Sequence, residues 1–188
     1  LCLTYFARDY TQSTASGFTR FGFNIWSLTL IAISIYTMFG AAQATKPMNR
    51  GILCGVTTFL WVMAVMLYKT MPDPINILPQ QFQQFNPFFV VALTPVSMAV
   101  FGALAKKGKE PSSPRKIGLG MIVAALGFLI LVICSFPLAS PAELKVHGGV
   151  SSTLVSPNWL ISTYFVLTFA ELLLSPIGIS FVTKVAPP

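Results

Sequence analysis

The chain has 188 residues, of which 54% are hydrophobic and only 9% charged, and its mean hydropathy is +0.73. A soluble domain carries about 25% charged residues, so a water-soluble globule is excluded and an all-α, polytopic membrane helical bundle is expected. The net charge of +7 does not call for a nucleic-acid partner, because the basic residues alternate with long apolar runs, where Lys and Arg mark cytoplasmic loops.

Some twenty residues of mixed character precede the first apolar run, which is not the layout of a signal peptide. The chain opens at Leu1 and stops at Pro188, and both ends read as cuts in a longer protein. A bilayer core takes about 20 apolar residues per helix, and five runs meet that need. The first is centred on Asn24 to Ala42. The second is the 18-residue run from Gly51 to Tyr68, between Arg50 and Lys69. The third runs from Phe85 to Ala105, after a polar, proline-broken approach (PINILPQQFQQ). A fourth goes from Ile117 to about Ala139, and a fifth from Pro157 to Val185 with one acid, Glu171.

Loop charge orients these spans. The segment KKGKEPSSPRK carries Lys106, Lys107, Lys109, Arg115 and Lys116 against Glu110 alone, a cytoplasmic signal under the positive-inside rule. The third span therefore enters from outside and the fourth returns there. The loop from Ser140 to Ser156, with only Glu143, Lys145 and His147, suits the outer side. The turn holding Lys46 and Arg50 then falls inside, and the segment ahead of Asn24 begins outside. Trp26 and Trp159 sit at outer helix starts, which are ordinary interfacial positions for Trp.

Glu171 stands out. It lies about fourteen residues into the fifth span, near the bilayer midplane at 1.5 Å per residue. A carboxylate at that depth is costly unless it meets a cavity or a cation, and such residues are functional candidates. Pro176 and Gly178 follow on the same helix, where proline removes a backbone hydrogen bond and bends the span. Pro95 does the same in the third span, just after Thr94. Asn86, beside Pro87, is either a helix cap or a ligand group facing a cavity. His147 reads as a solvated loop residue. The cysteines (Cys2, Cys54, Cys134) have neither metal nor disulfide spacing, and no metal site, cofactor site, phosphate loop or nucleophile–base pair is expected.

Three stretches carry a family likeness. QQFQQFNPFFVVALTPVSMAVFGALAKKGKEPSSPRKIGLG resembles the eighth helix and following basic loop of the proton-dependent oligopeptide transporters of the major facilitator superfamily. SPNWLISTYFVLTFAELLLSPIGISFVTKVAPP resembles their tenth helix, with its Glu-x-x-x-Ser-Pro signature, and LTYFARDYTQSTAS is similar to the outer end of their seventh. The likeness implies a partial C-terminal bundle. Residues 1–20 would close the seventh helix, 21–70 form an inserted transmembrane hairpin at the periphery, and 71–188 supply helices eight to ten with a basic cytoplasmic loop at 106–116. It also implies that Glu171 lines the central cavity and meets the peptide's amino terminus, that Asn86 faces bound peptide, and that Ser175 and Trp159 lie nearby. Leu173 departs from the cysteine many members carry two residues after the acid. The proton-coupling Glu-x-x-Glu-Arg motif of their first helix does not occur in these residues.

The expectation is therefore part of a multi-pass bacterial inner-membrane transporter. Its partners would be di- and tripeptides, protons, the lipid bilayer and the remaining helices of a longer chain. A major facilitator transporter of another small substrate and a non-transporting structural subunit are the competing readings. A membrane enzyme is disfavoured for want of a catalytic constellation.

Overall fold

The computed structural model describes residues 2–109, 111–138, 140, 151 and 153–185, the side chains of Cys2 and of 175–185 falling outside that description. The chain is helical: α1 (Cys2–Tyr10), α2 (Thr19–Gly22), α3 (Ile25–Gln43), α4 (Pro47–Thr70), α5 (Phe85–Lys106), α6 (Ser113–Ser135) and α7 (Pro157–Val185). A 3-10 turn, Pro79–Gln84, leads into α5, and two short strands, β1 (Thr14–Ala15) and β2 (Ile75–Asn76), pair antiparallel. Among the described residues five helices are long and apolar enough to cross a membrane. Backbone polar groups in hydrocarbon must bond within their own segment, which a helix achieves and an open strand does not.

Helix limits follow local chemistry. The Asn24 side chain accepts from the Trp26 amide at 2.9 Å and caps α3. Pro47 opens α4 at a position where its missing N–H costs nothing. That helix draws in Arg50 and Lys69, running four residues before and two residues past the charge-free run, because long cationic side chains can reach the interface from inside a helix. α6 likewise takes in Arg115 and Lys116. It stops at Ser135, short of the expected Ala139, because Pro137 has no N–H to donate to the Ile133 carbonyl and so cannot continue the helix.

The buried core lies at the outer end of the bundle. Ala7, Ala15, Phe23, Leu28, Ile77, Phe82, Phe85, Leu160 and Tyr164 form one cluster, joined edge-on through Phe23 to both Phe82 and Phe85. Backbone bonds knit the outer segments together: the Val155 amide donates to Tyr10 O (2.8 Å), Gln12 N to Val155 O (3.0 Å) and Ile77 N to Ser13 O (2.7 Å). Arg20, only 7% exposed, is held by Asp73 at 2.9 Å. It also donates to Tyr68 O at 3.2 Å, and its guanidinium lies 4.8 Å from the Tyr68 ring centre. That contact ties α2 to the end of α4. Arg20 was not legible as a structural residue in the sequence.

Below this shelf the spans pack by shape. α6 lies along α7, and α5 packs on α7. A Cβ at Gly120 would come within 2.8 Å of Leu174 Cγ, and one at Gly127 within 2.9 Å of Leu167 Cδ2. These two glycines, two helical turns apart, let α6 and α7 approach as small residues do in membrane interfaces. α3 packs between α4 and α5, with the Thr37 and Thr57 hydroxyls 2.7 Å apart across the α3–α4 hairpin. The outward residues of α4, including Phe59, Trp61 and Met66, are exposed, as a lipid-facing surface would be. Replacing Gly127 by Val should lower the thermal stability of the detergent-solubilised protein by about 1–3 kcal/mol through overpacking; an unchanged melting temperature would mean that α6 and α7 do not pack this closely.

Candidate functional site

α7 starts at Pro157, and its hydroxyls turn inward on the helix itself: Ser162 donates to Asn158 O (2.8 Å) and Thr163 to Trp159 O (3.0 Å). Such bonds satisfy polar groups that lipid cannot. Leu160, Tyr164, Leu167 and Glu171 fall at i, i+4, i+7 and i+11, on one stripe of the helix. At its outer end the stripe is covered, Leu160 being 1% and Tyr164 8% exposed, where α1 and the outer cluster pack on it. At Glu171 it is open, and that residue is exposed. Glu171 makes no hydrogen bond or ion pair among the described residues.

A ring contact fixes the register of α5 against α7. Phe89 meets Phe165 edge-on with centroids 5.3 Å apart, and both helices contribute to the outer cluster at their starts through Phe85 and Leu160. Six residues further along each, Pro95 comes level with Glu171. Pro95 has no N–H, so the Val91 carbonyl loses its usual donor. The Thr94 hydroxyl donates to Val90 O at 2.6 Å, and Ser97 Oγ is buried without a hydrogen-bond partner among the described residues. Polar groups thus gather at the depth of the carboxylate, as where discontinuous helices meet substrate in secondary transporters. Ser97 was not singled out in the sequence: one serine in an apolar run carries no signal until its neighbour helix is placed.

Asn86 is the second residue of α5. Gln84, not Asn86, holds the N-cap position, so the capping alternative falls away. Its side chain is half-buried and unbonded among the described residues. By the Phe89–Phe165 register it stands about nine residues, or about 14 Å, outward of Glu171. Trp159 is 43% exposed and lines a small outer cavity of about 300 Å3 with Ser156, Asn158 and Ser162. It lies about 18 Å along α7 from Glu171 and a third of a turn around it, so the structure does not bring these two together. Ser175 falls one turn past Glu171 on the same stripe, with its side chain outside the described residues. Pro176 and Gly178 share that limit, and Glu143, Lys145 and His147 lie outside the description altogether. Among the described residues no three His, Cys, Asp or Glu come together to hold a metal ion.

Comparison with known proteins bears on this arrangement. A family model described as the POT family matches residues 52–188, beginning inside α4. The chain is 39% identical over 106 residues to the uncharacterized transporter YclF of Bacillus subtilis and, equally, to the peptide transporter YePEPT of Yersinia enterocolitica, with 56% of this chain and 19% of each relative covered. It is 30% identical over 183 residues to dipeptide and tripeptide permease B of Salmonella typhimurium, with 87% of this chain and 35% of the relative covered. The chain thus spans between a fifth and about a third of the length of these curated relatives. No solved structure matches.

If the stripe opens to water at Glu171, then Glu171→Cys, in a background with Cys2, Cys54 and Cys134 replaced, should react with a membrane-impermeant thiosulfonate. Leu173→Cys, at a position only 7% exposed, should not. Equal protection of both thiols would place residue 171 against lipid or protein.

Proposed function

The chain belongs to the POT family, and from that premise we propose that it forms part of a secondary transporter coupling proton entry to di- and tripeptide uptake across the bacterial inner membrane. The supporting observation is Glu171: a carboxylate about 21 Å down α7, on an open face and without a cation beside it among the described residues. The names of the permease and peptide-transporter relatives support a peptide as the substrate class.

In this reading the peptide ammonium pairs with the Glu171 carboxylate. Their attraction is several times stronger at a partly desolvated site than in water. Asn86 supplies an amide N–H to a carbonyl or carboxylate nearer the outer end of the peptide. Spacing supports the pairing: the two residues are about 14 Å apart along the axes, and an extended tripeptide spans about 10 Å, leaving a few ångströms for each side chain to reach inward. Ser175 follows one turn after Glu171 on α7 and is a further candidate contact. Trp159 belongs at the outer rim rather than in the pocket.

Residues 1–20 would then close the seventh transporter helix, 71–188 supply helices eight to ten, and 21–70 form the inserted hairpin. α3 packing on the outside of α5, with α4 beyond it, supports a peripheral hairpin. A family match that starts inside α4 makes that helix the one whose assignment most needs testing. Proton coupling rests on groups beyond these residues, and alternating access needs a second bundle facing this one. No catalytic role is assigned; the named relatives are transporters and permeases.

Uptake of a labelled tripeptide into proteoliposomes holding the complete transporter, under an inward proton gradient, tests the reading. Glu171→Gln should cut uptake by about 10- to 100-fold, as expected for losing a charge-assisted hydrogen bond, with protein level and melting temperature unchanged. Asn86→Ala should raise the apparent KM by about tenfold while leaving the maximal rate closer to wild type. Full uptake by Glu171→Gln would instead favour a structural subunit.

A further inference from the structure

An open cavity of about 700 Å3 lies where α5 turns into α6, lined by Lys109, Pro111, Arg115, Gly118, Leu119 and Ile122, with Gly108 at its edge. Glu171 does not line it, and it plays no part in the peptide reading. We propose that it binds an anionic glycerophospholipid of the cytoplasmic leaflet, the phosphate held by Lys109 and Arg115 and an acyl chain laid along Leu119 and Ile122.

Four observations carry this. First, Lys109 and Arg115 are exposed and form no ion pair among the described residues. Lys116 differs, its ammonium lying 4.5 Å from the Phe101 ring centre. Second, Arg115 is in the first turn of α6, where the helix dipole disfavours a cation; a bound anion would reverse that penalty. Third, Arg115, Leu119 and Ile122 fall at i, i+4 and i+7, one stripe of α6. The stripe passes from a cation to apolar side chains that are 47% and 60% exposed, which matches the order of charge and hydrocarbon in a lipid and not in a free phosphate. Fourth, a Cβ built on Gly118 would meet nothing within 4 Å, so the groove floor beside Arg115 is open. The loop's excess of Lys and Arg places this end of the bundle at the cytoplasmic surface, whose anionic lipids attract cations close to a span.

Native mass spectrometry of the protein released from nanodiscs of equal phosphatidylglycerol and phosphatidylcholine tests the proposal. Wild type should retain phosphatidylglycerol preferentially, and Arg115→Gln should reduce that preference about fivefold. Lys109→Gln with Arg115→Gln should reduce it further, whereas the charge-conserving pair Lys109→Arg with Arg115→Lys should keep it. Lys46→Gln with Arg50→Gln, at the other basic turn, should leave it unchanged. The single Arg115→Gln variant decides the matter if the double variant does not fold. Equal retention by wild type and Arg115→Gln would overturn the proposal, as would an equal loss in Lys46→Gln with Arg50→Gln. Inorganic phosphate that protects against thermal unfolding as well as phosphatidylglycerol does would overturn the lipid assignment, because no acyl chain would then be needed.

Discussion

A carboxylate near the middle of a hydrocarbon layer has three options: take up a proton, find a cation, or face water. Among the described residues Glu171 has no cation beside it, and it is exposed while the outer part of its stripe is buried. The packing therefore leaves the carboxyl on an open surface at the level where Pro95 interrupts α5. Much of the remaining architecture can be understood as holding that surface in place. α6 packs along one flank of that stripe through the Gly120 and Gly127 contacts, and α5 sets the rotation of α7 through Phe89 and Phe165.

The two ends of the bundle are stabilised differently. The outer end has a conventional apolar core where the starts of α3, α5 and α7 meet segments that do not cross the membrane, closed by short strand pairing and the Arg20–Asp73 contact. The Arg20 side chain is 9% exposed and Asp73 45%, so the pair is half-desolvated. Removing the acid would strand a buried guanidinium, which is far worse than replacing both partners together. The spans themselves bury little, because their apolar faces have lipid as solvent and gain nothing from hiding. What holds them is close contact at small residues and a few hydroxyl bonds, such as that between Thr37 and Thr57.

The spans were legible in the sequence because a charge-free run of bilayer length has few other uses. The α3 start at Asn24 matched its cap, whereas α4 and α6 overran their apolar runs where terminal cations could reach water. The shelf was not legible. β1 and β2 lie sixty residues apart, so no local pattern announces their pairing, and Arg20 looked like an awkward charge outside the membrane rather than a buried anchor. For the candidate site, Glu171 was visible by its rarity and Pro95 by its chemistry. That the two share a depth depends on the Phe89–Phe165 contact, which belongs to no motif. Trp159 was grouped with Glu171 by likeness alone, and helix geometry separates them.

The central claim is that Glu171 meets the peptide's ammonium group directly. Calorimetric binding of dialanine and N-acetyl-dialanine to wild type and to Glu171→Gln tests this as a double-mutant cycle. The account predicts that acetylation costs wild type about tenfold or more in affinity and costs the glutamine variant almost nothing. Equal losses on both backgrounds would mean that the carboxylate and the ammonium never touch.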